Sequence, residues 1–111
     1  MALEVYSLTL DSYPQHLGDI MSQLLFSEQF SDVTLVCDDG KQIKAHRNIL
    51  SICSPFFKYI LQIGETNDPT IYLQGINHSE MEAIMKFIYL GQASVLKQKQ
   101  IPFYLLQITS R

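Results

Sequence analysis

Residues 30–60 read FSDVTLVCDDGKQIKAHRNILSICSPFFKYI, and this stretch decides the fold. Val33, Leu35 and Cys37 alternate with Thr34 and Val36, the period of a strand with one face inward. Asp38-Asp39-Gly40 supplies turn chemistry, because glycine readily takes the positive φ that a tight turn needs. Lys41 to Ala45 returns as the second strand of a hairpin. Arg47 to Cys53 then reads as a short helix with Ile49, Leu50 and Ile52 inward. Ser54-Pro55 restarts a helix, since serine is a good N-cap and proline suits the first helical position. Phe56, Phe57, Tyr59, Ile60 and Leu61 fill that helix. No residue in the stretch has the setting of a catalyst.

Upstream, Val5 to Leu10 alternates and reads as a strand, with Tyr6, Leu8 and Leu10 on one face. Asp11-Ser12-Tyr13-Pro14 breaks it. From Gln15 the period changes: Leu17, Ile20, Met21, Leu24 and Leu25 form one stripe of an amphipathic helix that ends near Phe26-Ser27. Downstream, Gly64 to Pro69 is a polar loop and Thr70 to Leu73 a third strand. Ser79 and Glu82 have the spacing of a capping box. The helix they open runs to Leu90, is apolar nearly all round and is expected to cross the middle of the domain. Gly91 ends it. Ala93 to Leu96 reads as a short strand and Pro102 to Ile108 as a last short helix. A small sheet with helices clustered against it is an α+β architecture.

At 111 residues the chain is one domain, residues 1–111. Only 17% of it is charged against 47% hydrophobic, so a domain this small can need a second chain to cover its apolar surface. A net charge of −3 argues against this domain gripping a phosphate backbone. Cys37 and Cys53 make no disulfide framework and read as reduced thiols among apolar neighbours. Met1 to Val5 shows no signal-peptide pattern, and no apolar run reaches the roughly 18 residues of a membrane span. His16, His46 and His78 are scattered, neither cysteine stands at a ligand spacing from a histidine, and phosphate-binding and nucleophile motifs are missing. The expectation is a protein without cofactor or metal that is not an enzyme and touches neither nucleic acid nor membrane.

Four blocks in order carry a resemblance that covers nearly the whole chain. Phe30 to Val33, Lys44 to Leu50 (KAHRNIL), Ser51 to Phe57 (SICSPFF) and Phe87 to Gly91 (FIYLG) resemble the successive motifs of a BTB/POZ domain. The N-terminal strand and Asp68 to Leu73 resemble most the insect tramtrack-type group, found at the front of zinc-finger transcription and chromatin proteins. Two features depart from the group. Leu8-Thr9-Leu10-Asp11 lacks the Arg and Trp usual in the first strand, and the chain stops at Arg111 where the family continues through further helices.

The resemblance implies a homodimer. The family dimerises through the first helix and exchanges its first strand, which puts Tyr6, Leu8, Leu10, Leu17, Ile20, Met21 and Leu24 at the interface. The residue pattern alone also allows ordinary packing of that helix on its own core. The resemblance further places Asp32, His46 and Arg47 in a charged pocket used by corepressor-type partners; a structural ion pair is the other reading. The function implied is a nuclear protein–protein interaction module of a transcription or chromatin regulator, pairing with itself and with other BTB proteins. The alternative is a substrate adaptor of a cullin-type ubiquitin ligase, for which Ile63-Gly64-Glu65 resembles the required short element.

Overall fold

A computed structural model describes residues 3–64, 67–94 and 101–106. The elements run α1 (Tyr13–Leu24), β1 (Val33–Val36), β2 (Gln42–Ala45), α2 (Arg47–Cys53), α3 (Pro55–Ile63), β3 (Thr70–Tyr72), α4 (His78–Leu90) and α5 (Phe103–Leu106). The hairpin forms as read, with Val33 opposite Ala45 and Val36 opposite Gln42. β3 joins the other side of β1 in parallel, giving the order β2-β1-β3 and a mixed sheet. A parallel neighbour requires a crossover, and α2 and α3 provide it. Alternate residues of β1 bond to the β3 side, Thr34 N–H donating to Pro69 O at 2.9 Å and Val36 O accepting from Leu73 N–H at 2.8 Å, while Cys37 N–H turns to the β2 side and donates to Lys41 O at 3.0 Å.

One face of the sheet, with Leu35, Ile43 and Ala45, is closed to solvent by Leu50 of α2, Phe57 and Leu61 of α3, and the inner side of α4. Each of the larger side chains here, such as Leu35, Ile43, Leu50 and Phe57, contributes roughly 1.5–3 kcal/mol through burial. Leu50 is buried and Ile52 is 76% exposed, which corrects the inward reading of Ile52. At about 100° per residue, positions 50 and 52 lie on opposite sides of a helix, so both cannot face the core. Tyr59, read as filling α3, likewise points outward. α4 buries Met81, Ile84, Met85, Ile88 and Tyr89, but Phe87 and Leu90 are about two-fifths exposed, so its apolar circumference is only partly covered.

The start of α4 corrects a second expectation. Asn77, not Ser79, is the cap: its side chain accepts from Glu80 N–H at 2.9 Å, and Glu80 Oε1 accepts from Asn77 N–H at 3.0 Å. The hairpin turn clamps the same corner. Asp38 Oδ2 accepts from Gly75 N–H at 2.8 Å, and Asp39 Oδ2 accepts from His78 N–H at 3.0 Å. Gly75 stands at φ +82° with Pro102 Cγ 3.1 Å from where a Cβ would sit, so this corner excludes a side chain twice over. Gly91 closes α4 at φ +84°, its N–H donating to Phe87 O. α5 falls inside the helix expected over 102–108, whose last two positions lie outside the described residues. Of the strand expected at 93–96, residues 93 and 94 are coil and the other two lie outside the described residues.

Residues 5–10, read as a strand, pair with nothing among the described residues and take an irregular, exposed path. Helix α1 starts at Tyr13, two residues before the expected start, because proline at position 14 is tolerated in a first turn. It packs against α4, as α2 does.

Candidate interaction surface

Helix α1 carries the full stripe of an amphipathic helix and buries no residue. Leu17 and Ile20 are each 41% exposed, and Met21 and Leu24 are half-buried against the core. The preceding segment is more open still, with Tyr6 84%, Leu8 92% and Leu10 55% exposed. The seven residues expected at an interface thus lie on two consecutive stretches, one helical and one irregular, and none is fully covered. The residue reading missed three other exposed apolar side chains on these stretches, Leu3, Val5 and Tyr13, and, on α2, Ile52. Helical angle counting would have found Ile52. Val5 and Tyr13 carried no such signal, since each lies at the margin of a periodic run.

Asp32, His46 and Arg47 come together where the loop after α1 meets the first turn of α2. Their contacts are mostly with backbone. Asp32 Oδ1 accepts from Arg47 N–H at 2.8 Å, placing a carboxylate at the positive end of α2. His46, in the N-cap position, makes no side-chain cap bond, so Asp32 takes over that role from fifteen residues upstream. The Asp32 and Arg47 side chains form no direct ion pair; among the described residues that contact is His78 Nδ1 with Glu82 Oε1 at 3.2 Å.

His46 is only 4% exposed. Tyr89 Oη accepts from His46 N–H at 3.0 Å and lies 2.8 Å from His46 Nδ1, while Nε2 lies 2.9 Å from Gln29 O. A carbonyl only accepts, so Nε2 carries the hydrogen; Tyr89 then donates its own to Nδ1. Every polar atom of the ring is used internally, and the ring ties α4 and the 25–32 loop to the start of α2. Burial pushes the Tyr89 phenol up to about 12, against the lowering effect of the His46 N–H bond, with the Asp32 carboxylate adding to the rise. Of the three residues assigned to a partner pocket, His46 is therefore withdrawn from the surface, while Asp32 and Arg47 remain half-exposed.

Cys37 is buried and Cys53 partly so, and both are free thiols. Burial raises both, and the neighbouring Asp39 and Asp38 carboxylates help bring Cys37 to about 11. Neither is a nucleophile at neutral pH. Among the described residues no helix is long and apolar enough to cross a membrane, and no three metal-ligating side chains converge.

Comparison with known proteins agrees with this geometry. The sequence profile of the BTB/POZ domain matches residues 21–109. The Drosophila melanogaster sex determination protein fruitless is 37% identical over 100 residues, and protein bric-a-brac 1 of the same species is 40% identical over 96. These alignments cover 90% and 86% of the chain but only 10% of either relative, so the chain spans a small part of the proteins it matches. The structure of the BTB domain of human gigaxonin superposes with a TM-score of 0.63 at 26% identity, covering 86% of this chain and 78% of that one. Fold, motif order and relatives agree: the chain belongs to the BTB/POZ family of protein-interaction domains, in its tramtrack-type group.

Proposed function

We propose that this chain is the homodimerisation module of a nuclear transcription or chromatin regulator, pairing through α1 and the segment before it. One observation carries the reading: α1 has a complete apolar stripe and no buried residue. An isolated 12-residue helix is marginal in water, and its stability must come from packing that a single chain only half supplies. In the dimer, residues 5–10 gain the strand partner they lack here, by adding to a sheet edge of the second copy. Asp32 and Arg47 then present a polar spot for corepressor or chromatin proteins, and related BTB chains compete for the same apolar stripe.

Light scattering after size exclusion tests the dimer. Leu17→Asp combined with Met21→Lys puts charge into the stripe and is expected to give a monomer or an unfolded chain. An unchanged, folded dimer would place the interface elsewhere. Asp32→Asn tests the polar spot, because asparagine keeps the oxygen that caps α2 and removes only the charge. Reduced partner capture at unchanged melting temperature supports recognition of the charge; equal capture rejects it.

A further inference from the structure

We propose that the free edge of β2 is a docking site for an extended basic segment of a partner protein. β2 ends the sheet, and its outer side is unpaired among the described residues. Cys37 N–H donates to Lys41 O at 3.0 Å, and hairpin alternation then turns the backbone of Ile43 toward β1 and that of Gln42 and Lys44 outward. Neither outward amide has an intramolecular partner among the described residues. Two N–H and two C=O groups at strand spacing are what an added strand requires.

A cavity of about 320 Å³ lies along this edge. Phe26 and Ile43 give it apolar walls, and Glu28, His78 and Glu82 give it a polar rim. Gln42 and Lys44 line it as well, and Glu82 Oε1 lies 3.2 Å from His78 Nδ1, so the rim sets two carboxylates, Glu28 and Glu82, against one lysine. Lys44, the cation on the edge, is held by Thr34 Oγ1 at 2.9 Å on the opposite face of the sheet. A lysine or arginine from an added strand can lay its aliphatic stem along Phe26 and bring its charge to Glu28 and Glu82. Alternate residues of that strand would face Lys44 and are expected to be uncharged. A second copy of this chain is a poor occupant, since every antiparallel register that pairs the outward amides of β2 places Lys44 of one copy on the same face as Lys44 of the other.

The test is titration of the full chain with a nine-residue peptide of alternating arginine and threonine, read by backbone amide shifts and fluorescence anisotropy. The expected result is shifts centred on Gln42 and Lys44, absent with an alternating glutamate and threonine peptide. Glu28→Lys with Glu82→Lys is expected to weaken binding at least about tenfold. Gln42→Pro removes an outward N–H without touching the ladder to β1 and is expected to abolish binding at nearly unchanged melting temperature. Equal affinity for the two peptides, equal binding by Gln42→Pro, or shifts at these amides that follow protein concentration without peptide would each overturn the proposal.

Discussion

Tyr89 and His46 form the polar pair on which the domain's interior depends. The Tyr89 hydroxyl satisfies two groups of one buried residue, so Tyr89→Phe leaves the His46 N–H and Nδ1 without partners. A cost of about 1–3 kcal/mol is expected, read as a drop in the urea midpoint. The phenol also sets an alkaline limit. Its folded pKa is raised from 10.0 to about 12, so its contribution is fully present below 10 and is lost as pH rises toward 12. The Cys37 thiol, raised from 9.0 to about 11, adds the same sign one unit earlier. Stability is therefore expected to fall from about pH 9 upward in thermal melts, and less steeply between 10 and 12 in Tyr89→Phe. Asp39 works at the other end. Its bond from His78 N–H holds the carboxyl below its ordinary value, so its contribution is present above 3.8 and lost as pH falls through the lower folded value. Asp39→Asn is expected to flatten the acid limb of the same pH series.

At the scale of elements, the caps decide where helices begin. Asn77→Ala removes the α4 cap and is expected to cost about 1 kcal/mol, whereas Ser79→Ala, at the second residue of the helix, is expected to change the melting temperature little. Equal losses would restore Ser79 as the cap. Both residues were visible in the sequence with an acidic residue three positions on; only the backbone path, fixed by Asp39 at His78 N–H, selects between them. The hairpin, α2 and α3 were legible because their signals are local: alternation, a turn with glycine, and Ser-Pro at a helix start. The parallel pairing of β3 was not, because it depends on contacts between residues 34 and 70 that no short window contains. His46 shows the same limit at the candidate site. The family motif singled it out, but its partners Tyr89 and Gln29 are 43 and 17 residues away, and only they show that the ring faces inward.

The whole molecule is the scale at which the single chain looks incomplete. Leu3, Val5, Tyr6 and Leu8 are all more than four-fifths exposed, and no residue of the first helix is buried. Composition showed this only as a low charged share; it was the family resemblance that pointed to the first helix and the segment before it. The structure puts much of it at the N-terminal end, on one arm and one helix face. In the proposed dimer a second copy would remove both defects at once, with an expected interface of roughly 2,000 Å² or more. Sedimentation velocity of the purified chain at low micromolar concentration tests this most directly: the account predicts a single species at the dimer mass, and a folded monomer under those conditions would contradict it.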